Sequence, residues 1–161
     1  MLPHLSPDAA KALREALTRA RYTTDGVRSL LGAAAHAALG RGEPEPAHRV
    51  AADADALDVL VRLLLLGSVE PDAAVAAALA PADAAAAGLL AADGSGWRAA
   101  LDLRPYGVAD GPDWWVLSDL DARRQQRDHV TGVGAASLTL AAATVRRPVG
   151  SALDLGTGCG V

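Results

Sequence analysis

The residues best suited to hold a ligand lie near the end of the 161-residue sequence, where Ala152-Leu153-Asp154-Leu155 runs into Gly156-x-Gly158-x-Gly160. A glycine-rich turn directly after a strand lets the backbone approach a ligand closely. No Cβ blocks the way, and positive φ is open to it. A helix starting near Gly160 would aim its backbone amides at that ligand. Asp154 falls within the end of the expected strand, where a carboxylate is costly to bury alone. It is therefore expected to meet a polar backbone or a cation. The glycine spacing differs from the G-x-G-x-x-G of dinucleotide folds, which disfavours a nicotinamide dehydrogenase.

Other reactive residue types are scattered. The four histidines, His4, His36, His48 and His129, are far apart and show no metal-type spacing. Cys159 has no identifiable base, and its place between two glycines explains it better than nucleophilic catalysis does. Trp97, Trp114 and Trp115 have the chemistry to stack bases. In a chain without Phe, packing is the plainer expectation for them. Trp114 and Trp115 are adjacent and point to opposite faces of a strand, which leaves one available for an interface. Arg123, Arg124 and Arg127, with Arg146 and Arg147, form either a phosphate-binding patch or a solvated linker and helix end.

The elements that must position these residues are mostly helical. Ser6-Pro7-Asp8 is a helix start, with a capping hydroxyl, a first-turn proline and an acid at the positive helix end. Leu13 and Leu17 share one face, and Tyr22 closes the run. Thr24 or Asp25 caps a second helix, which Gly32 interrupts and Gly40 ends. Residues 41–50 read as a loop holding two prolines. A third helix from Asp55 to Gly67 is apolar around most of its girth, so it should be the most buried. Short Ala-rich helices start at Pro71-Asp72 and at Pro81, the latter stopping at Gly88. The period then changes. Asp93-Gly94-Ser95-Gly96 signals a hairpin turn, and alternation over Trp97–Arg104 predicts one strand. Trp114-Trp115-Val116-Leu117 predicts another. After a polar linker over 121–128, a helix is expected from about Ala135 to Arg147.

Composition excludes several classes. Hydrophobic residues make up 51% of the chain, enough to drive collapse. Alanine fills about a quarter of the positions and Lys11 is the only lysine. The net charge of −4 argues against bulk electrostatic binding to nucleic acid or to an anionic membrane. Residues 121–161 run the other way, with five Arg against three Asp. The leucine run Leu63-Leu64-Leu65-Leu66 falls far short of the ~20 apolar residues that span a bilayer, so no membrane partner is expected. A start without an apolar stretch ahead of its charges predicts no secretion signal. A single cysteine fits a reducing cytoplasm.

Two resemblances give these patterns a direction. Helices followed by a hairpin, after a short helix ending Gly88-Leu89-Leu90, resemble a winged-helix module over roughly 5–120. The segment where a recognition helix would lie, Pro81–Ala87, carries no Arg, Lys, Asn or Gln, so direct duplex readout is not expected from it. Leu153-Asp154-Leu155-Gly156-Thr157-Gly158-Cys159-Gly160 is similar to motif I of class I S-adenosylmethionine-dependent methyltransferases. The stretch His129–Leu140 resembles the segment before that motif in the branch that methylates amide or exocyclic nitrogens. The resemblance implies S-adenosyl-L-methionine as cofactor, with Asp154, Gly156, Gly158 and Gly160 against it and Gly134, Ser137 and Thr139 as pocket wall. It also implies a macromolecular methyl acceptor: RNA, DNA or protein. The family's later motifs, an acidic strand end for the ribose and an Asn-Pro-Pro-type loop, have no counterpart here.

The expected fold is therefore α+β. It comprises a mainly helical, winged-helix-like N-terminal domain with a β-hairpin over 1–120, a linker over 121–128, and the beginning of an α/β Rossmann-like methyltransferase domain over 129–161. The expected product is a methyltransferase fragment, inactive by itself. The alternative is a stand-alone winged-helix-like interaction module without catalysis.

Overall fold

The structure, a computed structural model, describes residues 5–107, 113–120 and 128–160. These form a mixed α+β arrangement of seven helices and two small antiparallel sheets. Helix α1 (Pro7–Arg19) begins as its sequence dictates, with Ser6 Oγ accepting the Ala9 N–H at 3.2 Å. It ends in a double backbone cap, in which Tyr22 N–H reaches Leu17 O and Arg21 N–H reaches Thr18 O. That cap places Arg21 at φ +55, a left-handed position usually given to glycine.

Helix α2 (Thr24–Gly40) is capped by Thr23 and broken at Gly32, where φ +66 and ψ 170 leave the helical region. The expected loop over 41–50 is corrected: Glu45–Val50 forms a short helix, α3. Pro46 sits in its first turn, where the missing N–H costs nothing. Helix α4 (Ala56–Leu60), capped by Asp55, widens into a π-turn over Val61–Leu65 with Leu66 N–H on Val61 O. As expected, this is the most deeply buried helix: Val59, Leu60, Val61 and Leu63 are almost inaccessible to solvent.

Strand β1 (Glu70–Pro71) leads into α5 (Asp72–Ala78) and α6 (Pro81–Ala86). Strands β2 (Leu90–Asp93) and β3 (Gly96–Ala99) then close a hairpin. The sheet order is β1-β3-β2, with Glu70 opposite Trp97 and Ala92 opposite that same residue. The single strand expected over Trp97–Arg104 is corrected to two. The chain leaves the first sheet after Ala99 and starts β4 (Asp102–Gly107), which pairs with β5 (Asp113–Ser118) in a separate ribbon. Tyr22 fastens this ribbon to the helices. Its buried hydroxyl donates to Leu103 O at 2.8 Å, and its carbonyl accepts the Trp115 indole N–H at 2.7 Å.

Beyond the ribbon the chain is sparsely packed. Helix α7 (Ala135–Ala143) has no buried residue and ends before the expected Arg147. The expected strand over Ala152–Leu155 is not formed, and Leu153 and Leu155 are 82% and 83% exposed. A strand's backbone groups need a neighbouring strand, and none of the described residues pairs there. No helix among the described residues is long and apolar enough to cross a membrane.

Candidate functional site

The glycine loop is built by backbone conformation. Gly156, Gly158 and Gly160 lie at φ +73, +57 and +83, all in the left-handed region. A Cβ at Gly156 or Gly160 would meet nothing within 4 Å, so the need for glycine here is conformational and not steric. Gly160 N–H closes a turn on Thr157 O at 2.9 Å. Asp154 is exposed beside the loop, and Cys159 is half-buried.

The segment leading to α7 docks on the ribbon. Asp119 N–H donates to Val130 O at 2.9 Å, and Val130 N–H returns a bond to Asp119 Oδ2 at 2.8 Å. Gly132 passes close to Ser118, whose Oγ lies 2.9 Å from where a Cβ would stand. Gly134 is the extended residue that begins α7, and Ser137 is half-buried in its first turn. Among the described residues, no hydrogen bond or ion pair joins Gly134 or Ser137 to the 154–160 loop. The expected site residues thus fall into two groups: a pre-helix segment tied to the ribbon and an open glycine loop. Arg123, Arg124 and Arg127, with most of the expected linker, lie outside the described residues. Arg146 and Arg147 are exposed.

The ribbon itself carries features that no sequence spacing marked. On its outer face Tyr106 lies opposite Trp114, and the two rings stack with centroids 6.3 Å apart and planes 20° apart. Arg104 precedes Tyr106 by two positions on the same face and is held by Asp102 through Nε at 2.8–2.9 Å. A cavity of about 150 Å³ opens beside them, bounded by Arg104, Tyr106, Ser118, Gly132, Val133 and Leu138. The expectation that one of the two adjacent tryptophans is exposed holds: Trp114 is 50% exposed, while Trp115 packs against the core.

A second charged cluster is structural. Arg62, carried by the π-turn, donates to both Glu70 carboxylate oxygens at 2.8 and 2.9 Å and to the carbonyls of Ala51 and Asp53. Beside it, Asp55 Oδ1 accepts the Asp58 N–H, and Asp58 Oδ1 accepts the Asp53 N–H. Burial, and then the neighbouring Asp55, hold the Asp58 carboxyl above its ordinary range. The Asp58 backbone N–H holds Asp55 below its own. Two carboxyls with split proton affinities are the raw material of acid–base catalysis. Here both are engaged in starting α4 and closing the preceding loop. No group of three or more metal-ligating side chains occurs among the described residues.

The model of a family described as "Domain of unknown function (DUF7059)" matches residues 19–100. The chain belongs to this family. The DUF7059 span runs from the end of α1 through β3 and takes in the whole β1-β3-β2 sheet. The β4–β5 ribbon and the glycine loop lie beyond it. No curated protein and no solved structure gives a significant match.

Proposed function

We propose that this chain carries the opening of an S-adenosylmethionine-dependent methyltransferase domain. That domain would act in the cytoplasm on a nitrogen of RNA, DNA or protein, with the DUF7059 module presenting the acceptor. The observation that carries this reading is the loop after Asp154. All three glycines of the methyltransferase-like motif adopt left-handed φ, a conformation that non-glycine residues rarely take. The residues fit the cofactor in kind: three glycines without Cβ atoms and an exposed carboxylate next to them. Bound there, S-adenosyl-L-methionine supplies a methyl group activated by its sulfonium. Gly156, Gly158 and Gly160 would offer backbone amides, and Asp154 would hold the cofactor's ammonium group. Gly134 and Ser137 would wall the pocket from the α7 side. The protein's contribution to the transfer is then to hold nucleophile and methyl group in line.

The N-terminal part supports a winged-helix-like reading. The order α4-β1-α5-α6-β2-β3, with β3 between β1 and β2, is the arrangement such modules use. Helix α6 is poorly suited to a DNA groove. Its outward residues are Ala82, Asp83 and Ala86, and α1 packs beside it over an apolar notch lined by Leu13 and Ala84. A stand-alone interaction module would keep these features without binding the cofactor. Calorimetric titration with S-adenosyl-L-methionine separates the two readings. Saturable binding that Gly158→Val abolishes supports the methyltransferase, and no binding by the protein expressed from its complete reading frame removes it.

A further inference from the structure

The outer face of the β4–β5 ribbon does not serve the core. Tyr106 and Trp114 stack there, and Trp114 is 50% exposed, although a buried indole would contribute far more to stability. Arg104 stands next to them with its side chain 53% exposed, its guanidinium oriented by Asp102. The adjoining cavity is lined by Arg104 and Ser118 among mainly apolar residues. An aromatic pair, a guanidinium and a small polar-edged cavity on one sheet face match the chemistry of an unpaired nucleobase, which needs a stacking surface and polar contacts at its edge. Duplex DNA fits poorly, because the chain is acidic overall and α6 offers no phosphate ligand.

We propose that this face binds single-stranded nucleic acid by stacking a base on Trp114 and Tyr106, with Arg104 and the cavity receiving its edge. The proposal stands on the ribbon's own geometry and does not require the cofactor reading. Two properties follow. Affinity should come mainly from stacking, so removing a ring should weaken binding about 5- to 150-fold, the range that 1–3 kcal/mol per stacked base implies. Salt dependence should be shallow, because Arg104 is already paired with Asp102 and few phosphates are neutralised.

The test is a titration of a fluorescein-labelled 12-nucleotide single-stranded RNA with the whole 161-residue chain, read by fluorescence anisotropy in the absence of S-adenosylmethionine. The expected result is saturable binding that Trp114→Ala and Tyr106→Ala each weaken within that range and Trp114→Phe largely keeps. The melting temperature of Trp114→Ala should stay close to that of the parent. Four results would each overturn the proposal: no binding by the parent chain; parent-like binding by folded Trp114→Ala; equal affinity for a competing 12-base-pair duplex; or equal affinity for a competing free mononucleotide, which would make the ligand a nucleotide and not a strand.

Discussion

Removing the Arg62 guanidinium should unfold more of this protein than removing any one leucine contact on its surface. The side chain is 18% exposed and its partner Glu70 only 7%, so the pair works in a largely dry setting. It also donates to Ala51 O and Asp53 O at 2.8 and 2.7 Å, joining the end of α3, the loop before α4, the π-turn and β1. Arg62→Met keeps the stem's packing but leaves Glu70 buried without a counter-charge. Breaking a buried pair from one side costs about 3–5 kcal/mol, and the residual exposure of Arg62 favours the lower end. For a cooperative unit of about 100 residues, a 3 kcal/mol loss lowers the melting temperature by roughly 10–20 °C. The double variant Arg62→Met/Glu70→Leu removes the orphaned charge. It should recover about 2 kcal/mol relative to Arg62→Met, because the remaining cost is that of two carbonyls losing a donor. Urea unfolding followed by circular dichroism reads all four corners of the cycle. A loss below about 1 kcal/mol for Arg62→Met, or no coupling between the two sites, would refute the view that this network ties the sheet to the helices.

Three further outcomes follow from the same structure. Tyr22→Phe should cost about 1–2 kcal/mol in thermal unfolding, since Leu103 O loses its buried donor while the ring still packs. Gly96→Ala should cost about 2 kcal/mol or more and weaken β1–β3 pairing in amide exchange, because a methyl there runs into the Glu70 carbonyl. Asp58→Asn should be stabilising at neutral pH, because the substitution removes a carboxylate that burial disfavours. Burial raises the native Asp58 carboxyl above its unfolded value, so its penalty is absent in acid, appears as pH rises past about 4, and is complete above its raised folded value. Asp55 acts oppositely and is unchanged in sign by the substitution: its contribution is present above its unfolded value and fades as pH falls through its lowered folded value. The advantage of Asp58→Asn should therefore grow from pH 4 to pH 7 in urea titrations, and a flat difference would contradict the assignment.

Features decided by short-range chemistry were legible in the sequence. Ser6-Pro7-Asp8 starts α1, Gly32 breaks α2, and Asp93-Gly94-Ser95-Gly96 turns the hairpin, each because a local backbone need selects the residue type. Helix α3 was hidden because Pro44 and Pro46 read as loop signals, although a proline in a first helical turn is harmless. The change of sheet between β3 and β4 was hidden because apolar alternation runs on through Ala99, Leu101 and Leu103 regardless of which partner each half finds. The Arg62–Glu70 pair, the Tyr22 anchor and the Tyr106–Trp114 stack are tertiary meetings that no spacing announces. For the candidate site, the glycines' positive φ agrees with the sequence reading. The strand expected before them does not form, because strand formation depends on a neighbour and not on the segment's own residues.

The loop from Asp154 to Gly160 is proposed to belong to a cofactor-binding methyltransferase. The most direct test is equilibrium binding of S-adenosyl-L-methionine to the protein expressed from its complete reading frame, alongside Gly158→Val and Asp154→Ala. Saturable binding is expected, abolished by Gly158→Val, which cannot readily hold φ +57, and weakened by Asp154→Ala. Absence of binding by the parent protein, or binding untouched by both substitutions, would contradict it and leave the DUF7059 module to be understood by what it binds.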